Sequence, residues 1–385
     1  EQHHNNSFLI ASLIMGQSNM AAGANIGSNH NSRANDGELI AGRGFWPALS
    51  SSLKYDCKFA NYVLVDKGNF PHELNIPIPF SLVTTDEREG RRLLMPAYWL
   101  MYNLYALERN SYKYRVRDKR KAVRQHIEVD YLAPDTANEI LSARHLLEQW
   151  VGASYQSESQ SPANLGRKLL NDHPDLVADL EVLAPDLENS NTAMRVLKVV
   201  PAYRAYEQML RYYATWAIAD HCVKSGKSVA SLQRERTNGL NQWLNLGGQL
   251  VPQERVEALL SSIKEGTILQ WSEVHRVYEE WYTHYEEDRA HHALAILSTL
   301  LECEHIDEAL WKDLVGQCTA IRAEIEEQVF KTKEKDYHNH FREITYRSTA
   351  EREAVLGRLD DNPFIAHSKV VTQALSATLS QVRYS

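Results

Sequence analysis

The stretch Phe8-Leu9-Ile10-Ala11-Ser12-Leu13-Ile14-Met15-Gly16-Gln17-Ser18-Asn19-Met20-Ala21-Ala22-Gly23-Ala24-Asn25-Ile26 carries a beat of six residues. Phe8, Ile14, Met20 and Ile26 are large and apolar at that spacing. Four positions after each come Ser12, Ser18, Ala24 and His30, three of them small. An α-helix repeats every 3.6 residues and a strand every 2.0, so neither has this period. A chain coiled with a triangular cross-section does, because each side takes one short strand and one corner. The large residue then points inward and the small one fits the turn. The beat therefore predicts a parallel β-solenoid.

Outward from this stretch, strand character extends to about residue 92. Asn and Gly, dense through residue 44, suit corners that need left-handed backbone angles. Gly42-Arg43-Gly44-Phe45-Trp46-Pro47 reads as a loop, and Lys58 to Val65 returns to strand. Ile76-Pro77-Ile78-Pro79-Phe80 is extended, since each Pro denies helix to the residue before it. From Met95 onward the pattern turns helical. Tyr98, Tyr102 and Tyr105 share one face, as do Tyr206, Leu210, Tyr213 and Ala217, and then Val274, Tyr278, Trp281 and Tyr285. Breakers at Ala184-Pro185, Ser225-Gly226-Lys227, Gly247-Gly248 and Asp360 to Pro363 divide the helices. The expected domains are 1–92 as the coiled part, 93–125 as an aromatic helix with a basic connector, and 126–385 as a helical domain.

A chain of 385 residues is long enough for more than one core. Its net charge of -8 argues against a general binder of nucleic acid or acidic membranes. No apolar run reaches the roughly 18 residues of a membrane span. Cys57, Cys222, Cys303 and Cys318 are scattered without a framework spacing, which reads as reduced thiols in a cytoplasmic protein. Because the chain starts at Glu1 with the beat already running by residue 8, the reading expects a fragment whose upstream coils are missing.

The densest polar run is Ser28-Asn29-His30-Asn31-Ser32-Arg33, followed by Asp36, Glu38 and Arg43. His30 stands where the beat prefers a small residue. A neutral imidazole there can take a proton from an attacking hydroxyl or amine, with Asp36 or Glu38 orienting the ring. Asn29, Asn31, Arg33 and Arg43 are the candidates for holding hydroxyl or anionic groups, and Trp46 for stacking on a sugar or base. The bland readings stand beside these. The polar run satisfies corner backbone groups, and Phe45 with Trp46 plugs a coil end. Lys113, Arg115, Arg117, Lys119, Arg120, Lys121 and Arg124 form a basic stretch that either binds phosphate or lies on a solvated helix face. Glu280, His284, Glu287, His291 and His292 lack the paired Glu-x-x-His motifs of a carboxylate-bridged metal centre, so no metal is expected.

The run from Asn19 to His30 resembles the left-handed β-helix of hexapeptide-repeat, trimeric LpxA-like transferases. The runs Gly27 to Glu38, Gly42 to Pro47 and Met95-Pro96-Ala97-Tyr98-Trp99 look like an uncharacterised bacterial family carrying a domain of unknown function, with a β-helix followed by helices. That narrower resemblance covers residues 1–125. It implies a left-handed parallel β-helix followed by a large α-helical region. The resemblance to the broader transferase class implies a homotrimer and acyl transfer to a sugar or nucleotide-linked acceptor, with acyl-CoA or acyl-carrier protein as co-substrate and no resident cofactor. The ligand would be a sugar nucleotide or another phosphorylated small molecule. A non-catalytic scaffold or binding module, and an accessory domain of a sugar nucleotidyltransferase, are the alternatives.

Overall fold

The computed structural model describes residues 8–9, 12–26, 38–155, 160–235 and 240–385. Its N-terminal part is a set of very short strands. One four-stranded sheet contains β1 (Phe8–Leu9), β3 (Asn25–Ile26), β6 (Ser52–Leu53) and β9 (Asn69–Phe70). A second has β2 (Ser12–Ile14), β4 (Leu39–Ala41), β7 (Lys58–Phe59) and β10 (Asn75–Ile76). Both are parallel, with registers such as Ser52 opposite Asn69 and Lys58 opposite Asn75.

The third sheet has six strands: β5 (Trp46–Pro47), β8 (Leu64–Val65), β11 (Leu82–Thr85), β12 (Arg92–Met95), β13 (Val182–Ala184) and β14 (Met194–Val196). It is mixed: β11 runs antiparallel to β12, and β13 antiparallel to β14, while β12 and β14 are parallel. A hairpin of β15 (Trp243–Leu246) and β16 (Gln249–Pro252) stands apart.

This corrects the expected left-handed β-helix. The strands form separate short sheets, parallel and mixed, and one of them draws two strands from the region read as wholly helical. The beat of six does not govern burial either. Met20 and Ile26 are buried, but Ile14 is only half-buried. What governs burial is the ordinary strand alternation, with Asn25, Lys58, Asn69 and Asn75 exposed and Ile26, Phe59, Phe70 and Ile76 buried beside them.

The helices begin with α1 (Tyr98–Tyr102), α2 (Leu104–Arg117), α3 (Pro134–Tyr155), α4 (Pro162–Asp172) and α5 (Pro174–Ala178). They continue through α6 (Val199–Ser225), α7 (Val229–Arg234), α8 (Gln253–Lys264), α9 (Trp271–Leu300) and α10 (Glu308–Glu334). The last are α11 (His340–Glu343), α12 (Thr349–Leu356) and α13 (Pro363–Gln381). Their ends follow local chemistry. Pro134 opens α3, with Asp135 in the first turn facing the positive end of the helix. Gly226 closes α6 at φ 72°, an angle that costs glycine nothing. Gln270 and Glu273 form a reciprocal cap on α9, and Asn362 caps α13 ahead of Pro363.

One hydrophobic cluster runs from Met20 through Trp99, Ile140 and Tyr206 to Leu379, so sheets and helices share a core. The β15–β16 hairpin, α8 and the first half of α9 make an arm with a smaller cluster of its own, Val251, Val256, Leu259, Val274 and Trp281. Helix α9 belongs to both, because Ala290, Ala293, Leu294, Ile296 and Leu297 in its second half lie in the main core. Leu269 and Trp271, at the arm's outer end, are 80% and 74% exposed. Among the described residues no helix is long and apolar enough to cross a membrane.

Candidate functional site

After α2 the chain crosses residues 118–133 without regular structure and lies over the β15–β16 hairpin. The hairpin turn is Gly247-Gly248, with φ of 62° and 112°. That turn lets the backbones meet: Glu128 N–H donates to the Gly248 carbonyl at 2.9 Å, and a Cβ on Gly248 would come 3.0 Å from the Ile127 side chain. Helix α9 supplies the facing wall. Tyr282, Tyr285, Glu286 and Arg289 fall at helical spacing on one side of it. Between loop, hairpin and helix lies a cleft of about 300 Å³, lined also by Arg115, His126, Glu128, Asp130, Gln249 and Leu250.

Inside this cleft the charges are paired. Arg115 bonds Asp130, and Arg289 Nη2 donates to Glu286 Oε2 at 2.7 Å and to Asp220 Oδ2 at 3.2 Å. The Arg289 Nε is buried with no partner among the described residues. Tyr285 donates its hydroxyl proton to Glu128 Oε2, and Asp130 N–H donates to Glu128 Oε1 at 2.7 Å. Burial, and then the Asp130 carboxylate, push the Glu128 carboxyl above the usual carboxylate range. The His126 and Tyr282 rings are stacked with centroids 3.3 Å apart and planes within 6°, and His126 Nε2 lies 3.2 Å from Glu279 Oε2.

The loop is braced from behind by the N-terminal sheets. Gln17 Nε2 donates to the Glu128 carbonyl at 3.0 Å, and the Tyr62 hydroxyl donates to Gln17 Oε1. Arg43 Nη1 donates to the Asp130 carbonyl at 2.9 Å. The same guanidinium grips Asp135 with two bonds, Nε to Oδ2 at 2.8 Å and Nη2 to Oδ1 at 2.7 Å. Asn61 completes the joint. Its side chain accepts from Arg43 N–H at 2.6 Å, and its own N–H donates to Glu139 Oε2 at 3.0 Å.

Burial, then the Asp135 charge, push Glu139 up to about 8. A carboxyl whose folded pKa lies above its unfolded one stabilises the fold fully below the unfolded value, and that contribution is lost as pH rises through the folded value. Glu139→Gln, which cannot titrate, is therefore expected to gain on wild type between pH 4.5 and 8 and then hold a constant lead. Urea denaturation across that range checks it, and a constant difference at every pH would contradict it.

The residues singled out in the sequence are spread out. His30, Asp36, Asn29, Asn31 and Arg33 lie outside the described residues. Glu38 is exposed. Arg43 is 1% exposed and sits behind the cleft, and Trp46 is half-buried with its ring centroid 5.4 Å from that of Trp99. Of the basic stretch, Arg115 lines the cleft. In the helical histidine group, Glu287 pairs with Lys227, and His292 is a core residue bonded to Tyr213 and Asn138. Among the described residues no group of three or more metal-ligating side chains is assembled. Sequence reading passed over Glu128, Asp130 and Arg289. The one local signal was Tyr285 closing an aromatic stripe, which reads as core.

Comparison with known proteins places the chain among sequences of unknown function. Residues 225–379, which include α9 but not the facing loop, match the model of a family described as a domain of unknown function (DUF6819). The chain is 43% identical over 366 residues to an uncharacterised protein of Treponema pallidum (strain Nichols), a match that takes in 95% of this chain. It takes in 50% of that protein, so the chain spans about half the length of the curated relative it matches. No solved structure matches. These matches support a bacterial family of unknown function.

Proposed function

We propose that the cleft binds a small polyhydroxylated ligand, a sugar or the sugar portion of a larger molecule, so that the chain works as a binding module. The observation that carries this is the pairing of opposite charges within a cleft that also holds an aromatic pair. Arg115 with Asp130 and Arg289 with Glu286 leave little net charge, and Glu128 is held toward its neutral form. A bare ion entering such a site would meet charges already satisfied and lose its own hydration. A sugar hydroxyl both donates and accepts, so carboxylate oxygens and guanidinium N–H groups can each bond it without a new charge. Tyr282 and His126 offer an apolar ring face to the C–H side of the sugar.

Acyl transfer to a sugar acceptor, with acyl-CoA as donor, rests on His30 and Asp36 and keeps its sequence argument alone. Binding is the reading the described geometry favours.

The test is thermal stability against a panel of neutral monosaccharides, since a ligand that binds only the native state raises the melting temperature. Stabilisation is expected with at least one sugar and is expected to vanish in Arg289→Gln, whose folding is checked by circular dichroism. No shift with any sugar, confirmed by equilibrium dialysis, would refute the proposal.

A further inference from the structure

We infer that the ligand of this cleft carries a phosphate, read by the basic loop at its rim; the inference rests on the sugar-binding reading above. Arg115 and His126 both line the cleft, so the segment between them begins and ends beside it. The loop is pinned in that position. Arg120 pairs with Asp118 at 2.7 Å and donates to the Gln125 carbonyl at 3.0 Å, and Gln125 Nε2 reaches the Leu246 and Gly247 carbonyls of the hairpin. With Arg120 so used, Arg117, Lys119, Lys121 and Arg124 remain exposed, and among the described residues no carboxylate pairs with them. Four uncompensated cations, Arg117 at the end of α2 and three on the loop that follows it, contrast with a chain of net charge -8.

The interior and the rim thus ask for different things. The interior is balanced and suits hydroxyls. The exposed segment that begins and ends beside the cleft is cationic and wet, so an anion there keeps much of its hydration and still gains attraction. A sugar phosphate satisfies both at once, with its ring against Tyr282 and its phosphate over the loop. Lysines serve such a group as mobile point charges, and Arg117 and Arg124 add planar forks that match its oxygens.

The experiment is isothermal titration of the full chain with a sugar found to bind, with the same sugar as its 1-phosphate, and with inorganic phosphate. At low salt the phosphate is expected to raise affinity about tenfold, the combined effect of several weak exposed pairs. That gain should disappear as salt rises from ~0.01 M to ~1 M, where the screening length falls from about 30 to about 3 Å. In the triple variant Lys119→Glu, Lys121→Glu, Arg124→Glu the gain should be lost while the neutral sugar binds as before. The three side chains are exposed, so folding is expected to survive. If sugar and sugar phosphate bind equally, this inference fails and the sugar site stands. If the charge-reversed loop keeps the preference, the phosphate is read elsewhere and the inference also fails. If neither sugar nor sugar phosphate binds, the sugar site falls and this inference with it.

Discussion

Arg43→Ala is expected to cost the fold about 3–5 kcal/mol, the usual effect of deleting one partner of a buried ion pair. The Arg43 side chain is 1% exposed and its partner Asp135 10% exposed, so water cannot replace the lost guanidinium. Four acceptors lose a donor together: both oxygens of Asp135, the carbonyl of Asp130 and the Tyr62 hydroxyl. Asp135 would then be a carboxylate left in the interior beside Glu139. The pair is not thereby a large net stabiliser, because forming it required desolvating both charges. Arg43→Met with Asp135→Leu is accordingly expected to recover most of the loss. Urea denaturation of the single and double variants measures both, and a loss below about 1 kcal/mol for Arg43→Ala would contradict the argument. The Asp130 carbonyl is also on the cleft loop, so sugar affinity should fall in the single variant beyond what reduced stability explains.

An effect as large is expected where α3 meets α4. A Cβ on Gly152 would lie 1.8 Å from the Pro162 carbonyl oxygen, and one on Gly166 would lie 1.8 Å from the Glu148 carbonyl oxygen. Both obstacles are backbone, which cannot swing aside as a side chain does. The helices would have to separate, and Glu148 would lose its bonds from Arg167. Overpacking of this kind costs roughly 1–3 kcal/mol where side chains can yield and more where they cannot. Gly152→Ala and Gly166→Ala are therefore each expected to lose at least about 3 kcal/mol or to fail to yield folded protein. Gly316 supplies the control, since it lies within α10 with nothing within 4 Å of an added Cβ. Gly316→Ala should stabilise by up to about 1 kcal/mol, through helix propensity alone. Equal behaviour of the three alanine variants in thermal melts would undo the packing argument.

The contrast between helices and sheets shows what a single sequence discloses. Tyr206, Leu210, Tyr213 and Ala217 are all buried along α6, as their spacing predicts, because a helix places its partners three or four residues away. Gly226 ends that helix where the breaker was read. Strands β13 and β14 left no such trace: three residues each, they pair with one another, and β14 joins the sheet through β12, far away in the chain. The beat of six misled because burial there follows the two-residue alternation within each short strand. The cleft was hidden by the same distance. Glu128 comes from an irregular loop and Tyr285 from a helix, and only the fold brings the hydroxyl to the carboxylate. The sequence offers Arg43 as a fork for an anionic group of a substrate, and in the structure that fork holds the Asp135 carboxylate.

Helix α9 has a mechanical consequence. Its second half is fixed in the main core and its first half carries the arm, with the cleft at the division. From Tyr282 to Trp271 a helix of this kind rises roughly 17 Å. Were this helix to bend at the cleft by about 10°, its far end at Trp271 would sweep through about 3 Å. Closing around a ligand would be amplified at the end where Leu269 and Trp271 stand in solvent, turning occupancy of a small pocket into displacement of an apolar tip.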